Sequence, residues 1–381
     1  MFISVIIIAK NEAQTINRVI NSIKTQIYPR RKYEIIVVSD GSSDNTVQVA
    51  LSHKIKTIEL KKSYGISAAR NIGILESCGD IIFFIDAHMV LHKRSLQVLS
   101  EIFFKNNLID GVCGTYHTPF KGLSNIRNIR YKALSGKGKI LQSIDLKQFV
   151  TFSGGIGAFK REIFENIGMF DRCFQNKSGE DIFFELKLLN KNSLLLYTPA
   201  VEGVHYHKIR KIFDLLKRGW REVYGFYTIL IHGINKKINF PLRNKYYFRF
   251  PFLVFISLCL SCLYKDFLYL LFLASAIEIF SIRKVFFIKN CTILEKISTL
   301  LYWIYCEILK VILCPLILFI KNKPLDRSEI IEAVIYSNQH KFINFFYFPS
   351  EQKSSRPLKE FLRIFYIFVI WEVNKVLDLT K

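Results

Sequence analysis

The chain has 381 residues, with 54 Lys and Arg against 31 Asp and Glu, a formal net charge of +23 and 50% apolar residues. That apolar content excludes wholesale disorder, and the length leaves room for two domains of roughly 100–200 residues each. A mean hydropathy of +0.22 beside 34 Phe and 18 Tyr favours an anionic lipid surface over nucleic acid as the partner of the basic charge, and no nucleic-acid recognition motif is present.

Residues 1–110 alternate between strand and helix patterns. Ile3–Ala9 is a continuous β-branched run, as expected of a parallel strand buried on both faces. It has no basic leader and meets Lys10-Asn11-Glu12 at once, so it is read as a strand rather than a signal peptide. Asn11 to Thr25 places Ile16, Val19, Ile20 and Ile23 at helical spacing. A second strand is expected at Tyr33–Ser39, a helix at Thr46–Ser52, a strand at Ile55–Leu60, a helix at Gly65–Ser77 and a strand at Ile81–Ile85, ending on Asp86. Strands that each deliver polar residues at their carboxyl ends describe an α/β sheet binding a ligand along that edge. Gly111 to Phe152 is read as loops on the acceptor side, with Lys121 to Lys139 as a mobile segment.

Beyond Val204 the character changes. Residues 205–249 carry eleven Lys and Arg against Asp214 and Glu222. Pro251–Ile282 and Ile297–Ile320 are long enough to span a bilayer, although each contains charges. They are read as a tilted hairpin or an in-plane amphipathic pair, with a soluble helical subdomain as the alternative. Leu358–Leu377 is either a further interfacial helix or part of the protein's own core. Eight cysteines lie in apolar contexts. Cys259 and Cys262 lack a second pair or a His partner, so they are read as buried hydrophobes, and the catalytic part is placed in a reducing cytosol.

Several clusters carry chemistry. Asp40 ends a strand in Asp-Gly-Ser-Ser-Asp, where it either punctuates a turn or accepts hydrogen bonds from a nucleobase or ribose. Arg70, in Ala-Ala-Arg-Asn-Ile-Gly, is an exposed helix charge, a partner of Asp40 or a contact for an anionic ligand. Five apolar residues run into Asp86-Ala-His88. Carboxylate and imidazole at that spacing form half of a divalent-metal site, with imidazole tilting the choice towards Mn²⁺ and Mg²⁺ remaining open. The three glycines in Ser153-Gly-Gly-Ile-Gly-Ala let backbone approach a ligand. Glu180-Asp181 opens a helix, where one carboxylate either matches the helix dipole or points into a cleft as a base. His205 and His207 alternate, so only one is expected to face the cleft; His205 is a third metal ligand or a structural His.

Together these stretches resemble the family 2 glycosyltransferases of GT-A fold. The resemblance rests on Ser4-Val-Ile-Ile-Ile-Ala9-Lys-Asn-Glu12, Val37-Val-Ser-Asp40-Gly-Ser-Ser-Asp44, Gly65-Ile-Ser-Ala-Ala-Arg70-Asn71-Ile-Gly73, Asp86-Ala-His88, Ser153-Gly-Gly and Gly179-Glu180-Asp181. It covers residues 2 to about 230, and the C-terminus is similar to membrane-associated succinoglycan-type transferases. The resemblance implies that Ala9, Glu12, Asp40, Arg70 and Asp86 bind the nucleotide-sugar. It implies that Asp86 and His88 take the place of the metal motif, binding Mn²⁺ or Mg²⁺, with His205 a candidate third ligand. It places the catalytic base on Asp181, with Glu180 as support. The expected activity is inverting transfer from a nucleotide diphosphate-sugar, with UDP the usual nucleotide, to a glycan or polyprenyl-linked acceptor. The site is expected on the cytoplasmic face of the cell membrane. A non-catalytic nucleotide-sugar-binding scaffold is the alternative. The expected organisation is a GT-A domain at 1–235, a hydrophobic helical membrane-associated region at 236–320 and a partly amphipathic tail at 321–381.

Overall fold

The computed structural model describes residues 1–122, 155–174, 179–207, 211–235 and 292–313. Its centre is an eight-stranded sheet in the order β3-β2-β1-β4-β7-β6-β8-β5. The first four neighbours are β1 (Ile3–Ala9), β2 (Tyr33–Ser39), β3 (Lys56–Glu59) and β4 (Ile81–Asp86), paired in parallel. The strand β7 (Ile156–Lys160) follows antiparallel to β4, and β6 (Gly111–His117) pairs antiparallel to β7. Beyond them lie β8 (Leu195–His205), parallel to β6, and β5 (Met89–Leu91). Chemistry converges on a parallel sheet where the strand order reverses. Here the chain leaves β1 towards β2 and β3, then returns to lay β4 on the other side, so the crevice opens beyond Ala9 and Asp86.

Period-two alternation within largely apolar strands divides the core into two layers. Ile3, Val5, Ile7, Phe83 and Ile85 face α1 (Ile16–Lys24), α2 (Thr46–Ser52) and α4 (Ser95–Lys105). Ile6, Ile36, Val38, Ile82 and Phe84 face α3 (Ile66–Leu75), α5 (Arg161–Asn166) and α6 (Glu180–Asn190). In the second layer, Phe84 packs edge-on against Phe164 and Phe170, and Phe184 stacks on both. Full burial of each such ring contributes roughly 1.5–3 kcal/mol.

The expected elements up to Asp86 are present, and β1, β2 and α2 agree at both ends. One expectation is overturned. Gly111–His117 is a sheet strand rather than part of an acceptor loop, because Val112 and Cys113 are buried and pair with β7. Lys121 and Gly122 are described, while 123–152 lie outside the described residues.

The helix α7 (Ile212–Asn235) packs on α6, and α8 (Ile293–Leu313) packs on α7. The hydroxyl of Tyr305 donates to the Leu216 carbonyl at 3.2 Å, and Gly122 N–H donates to the Glu295 carboxylate at 2.7 Å. Helix α8 belongs to the expected 236–320 region, yet it is docked on the sheet domain. Among the described residues no helix is long and apolar enough to cross a membrane. Pro251–Ile282, Leu358–Leu377, the rest of 321–381 and the Cys259/Cys262 pair lie outside the described residues. Among the described residues, Cys78, Cys113, Cys173 and Cys306 form no disulfide.

Candidate active site

The loops after β1 and β2 knit together at the crevice. Asn11, held at φ 56°, takes the Ser43 N–H on its side-chain oxygen at 2.8 Å, and Glu12 N–H donates to Thr46 Oγ1 at 2.8 Å. This lock carries Glu12 over the sheet edge, where its Oε1 meets His88 Nδ1 at 2.8 Å. His88 Nε2 lies 3.7 Å from Asp86 Oδ2. Burial opposes charge on Glu12, but the His88 contact and the Thr15 hydroxyl hold its carboxyl below the usual range. Burial likewise opposes protonation of His88, and the Glu12 and Asp86 carboxylates raise it.

Main-chain pairing supplies the other imidazoles. Met89 is registered with His205 across β5 and β8, and Tyr206 N–H donates to the His88 carbonyl at 2.8 Å. The rings of His205 and His207 stand 4.5 and 5.2 Å from that of His88, and Tyr116 stacks on His205. Both histidines therefore reach the cleft, contrary to the alternation argument. The strand ends at His205, so its pleat no longer governs His207. Two overlapping donor sets result, Asp86–His88–His205 and Glu12–His88–His207, each with ligand atoms within 4.8 Å of one another. Carboxylate oxygen with two imidazoles suits a divalent ion of the Mn²⁺ type, with Mg²⁺ the harder alternative. The backbone leaves room for it at Gly155, where a Cβ would stand 2.6 Å from Asp86 Oδ2.

Asp40 is buried at the end of β2. Its oxygens accept from Ser63 Oγ at 2.6 Å, Tyr64 N–H at 2.7 Å and Gly65 N–H at 3.1 Å, which anchors the turn into α3. Ala9 lies buried beside it, its carbonyl accepting the Asp40 N–H at 2.8 Å.

Arg70 does not pair with Asp40. It is 1% exposed, and its Nη1 bonds Glu180 Oε1 at 2.8 Å. The ring of Phe170 lies 5.0 Å from the guanidinium, and the neighbouring Asn71 amide both donates to the Phe170 carbonyl and accepts its N–H. Arg70-Asn71 is thus a two-pronged clamp on the segment leading to α6. Gly179, at φ +109°, turns the chain into that helix, so Glu180 points inward and the less buried Asp181 follows it. Burial and the adjacent Asp181 charge push the Glu180 carboxyl up to about 7, against the pull of Arg70. Burial pushes the Cys113 thiol on β6 well up, and the Glu185 and Asp181 carboxylates add to it.

Sequence reasoning missed His207, the role of Glu12 as His88's partner and the Asn71 clamp. A His-x-His at a strand end was the available signal for the first; the other two depend on long-range packing.

Residues 4–168 match the family model described as Glycosyl transferase family 2. Glycosyltransferase AglE of Haloferax volcanii is 29% identical over 233 residues, covering 58% of this chain and 71% of that protein. Poly-beta-1,6-N-acetyl-D-glucosamine synthase of Staphylococcus epidermidis is 29% identical over 203 residues, 52% of this chain and 48% of that one. Poly(ribitol-phosphate) beta-N-acetylglucosaminyltransferase TarP of Staphylococcus aureus is 31% identical over 192 residues, 49% of this chain and 57% of that one. The matched stretch thus spans about half the length of the two staphylococcal relatives.

Proposed function

We propose, from the premise that residues 4–168 are a glycosyl transferase family 2 domain, that this chain moves a sugar from a nucleotide diphosphate-sugar to a hydroxyl of a glycan acceptor. The donor is expected to be a UDP-sugar, and the transfer inverts the anomeric carbon. The names of the staphylococcal relatives support a place in cell-surface polymer synthesis. The observation that carries the reading is the gathering of Asp86, His88 and His205 at the edge where the strand order reverses, with Asp181 heading a helix packed on the same sheet.

Asp86, His88 and His205 would hold a divalent cation, Mn²⁺ or Mg²⁺, which when bound offsets charge on the donor diphosphate. Glu12 accepts from His88 Nδ1 and thereby leaves Nε2 facing Asp86. Ala9 and the Asp40 turn form the floor on which the nucleoside lies. Asp181 takes the proton from the acceptor hydroxyl as that oxygen attacks the anomeric carbon and the nucleotide leaves from the opposite face. A positioned base contributes about 10²–10⁴ in rate. Arg70 acts from behind the site, fixing Glu180 and so the first turn that presents Asp181.

Calorimetric titration of the full chain with UDP- and GDP-sugars, in Mn²⁺, Mg²⁺ or EDTA, tests the pocket. Metal-dependent binding of one donor, weakened in Asp86→Ala, is the expected outcome. Failure of every nucleotide-sugar to bind would sink the reading.

A further inference from the structure

The imidazole of His88 has two nitrogens, and each faces a different carboxylate. Nδ1 meets Glu12 Oε1 at 2.8 Å, while Nε2 lies 3.7 Å from Asp86 Oδ2. The proposed activity uses the Asp86 side of the ring, where His205 completes a cation site. The Glu12 side has the same composition: Glu12, His88 and His207 bring one carboxylate and two imidazoles to within 4.8 Å of one another. His207 has no part in the transfer chemistry.

The spacing fits two ions rather than one ion with a choice of ligands. With metal–nitrogen bonds of about 2.0 Å, ions on the two nitrogens of one imidazole stand about 6 Å apart. The rings of His205 and His207 are 6.0 Å from each other and stand 4.5 and 5.2 Å from that of His88. Each ion thus finds an imidazole of its own beside the shared one. One carboxylate with two imidazoles is a set that zinc-type ions accept with a position left open. Mg²⁺ prefers oxygen ligands, whereas imidazole suits the later first-row metals. The Arg218 charge reaches His88 and opposes a further cation, so the second ion binds more weakly than the first.

We propose that Glu12, His207 and Nδ1 of His88 form a second cation site, for a zinc-type divalent ion, back to back with the Asp86–His88–His205 site. The ion takes the place of the Nδ1 proton, which leaves to solvent, and His88 bridges the pair as imidazolate. A separation of about 6 Å exceeds the roughly 3.5–4 Å of two-metal catalysis. The second ion is therefore a clamp rather than a partner at the breaking bond. It ties the loop after β1, which carries Glu12, to the end of β8, which leads into His207. The inference rests on the first cation site of the proposed activity, but metal stoichiometry is read without donor, acceptor or turnover.

The test is a Co²⁺ titration of the full chain, with Co²⁺ standing in for Zn²⁺, followed by visible absorption and electron paramagnetic resonance. The wild type is expected to take two equivalents, the second the weaker. Ions joined through one imidazolate couple magnetically, so the integrated resonance per ion should fall as the second binds. His207→Ala should lose the second equivalent and the coupling while keeping the circular dichroism spectrum of the wild type, since His207 is exposed and lies past the strand end. Glu12→Gln should lose them too, and Asp86→Ala should lose the coupling from the other side. Saturation of the wild type at one equivalent overturns the proposal. So does a second equivalent that binds without coupling, or that stays in both His207→Ala and Glu12→Gln. A single equivalent abolished by Asp86→Ala would sink the second site and leave the transfer reading standing. Two coupled equivalents in a chain that binds no nucleotide-sugar would do the reverse.

Discussion

Arg70 and Glu180, 110 residues apart in sequence, meet at 2.8 Å with side chains 1% and 7% exposed. The contact joins the Ala-Ala-Arg-Asn helix to the first turn of the Glu-Asp helix, so one motif of the sequence positions another. Removing one partner of a buried pair costs about 3–5 kcal/mol, because the other charge is left without compensation. Arg70→Ala should therefore lower unfolding stability by about that amount in urea titration, and Arg70→Lys by less. A loss below about 1 kcal/mol would show that the pair is not structural.

The pH dependence of stability should carry the same signature. In the folded protein Glu180 titrates near 7, above its ordinary 4.5, so the native state holds this proton more tightly than the unfolded chain. Its contribution is complete below about pH 4.5 and is lost as the pH rises through about 7. Glu180→Gln cannot ionise, so its urea midpoint should fall less between those pH values than that of the wild type. Parallel declines would contradict the assignment.

Glu12 is expected to act through His88. A carboxylate that fixes the tautomer of a metal-binding imidazole typically accounts for 10–100-fold in metal affinity. Glu12→Gln should weaken Mn²⁺ binding by roughly that factor in an electron paramagnetic resonance titration, and His88→Ala by more. Equal affinity in Glu12→Gln and the wild type would show that Glu12 leaves the His88 tautomer unset.

Gly155 is a position where added side-chain volume would press directly on the Asp86 carboxylate. A Cβ there would come within 2.6 Å of Asp86 Oδ2 and 3.1 Å of its Cγ. Gly155→Ala should displace that carboxylate and lower Mn²⁺ affinity about tenfold while leaving the fold melting close to the wild type. Unchanged metal binding would mean that Asp86 is not a ligand in this conformation.

The parallel half of the sheet was legible because Ile3–Ala9, Tyr33–Ser39 and Ile81–Ile85 are apolar runs, interrupted only by Ser4 and Glu34 near their starts, that lead into polar residues, a pattern that buried parallel strands produce and few other elements do. Asp86, His88 and Asp181 stood at strand and helix ends, where local sequence places them. Arg70 was open between three readings, since nothing local to Ala-Ala-Arg-Asn shows that its partner lies 110 residues on. Gly111–His117 was hidden because Gly-Val-Cys-Gly-Thr carries two glycines and weak alternation, and its pairing comes from strands far along the chain. His207 was set aside by extending strand alternation one step past the strand's end.

The most direct measurement is nucleotide release by the wild type and Asp181→Asn from UDP- and GDP-sugars, with membrane lipid and glycan extracts as acceptors, in Mn²⁺, Mg²⁺ or EDTA. The account predicts metal-dependent turnover of one donor by the wild type. It predicts a loss of about 10²–10⁴ in the variant, with donor binding retained. Turnover that survives in Asp181→Asn, or that is indifferent to EDTA, would contradict it.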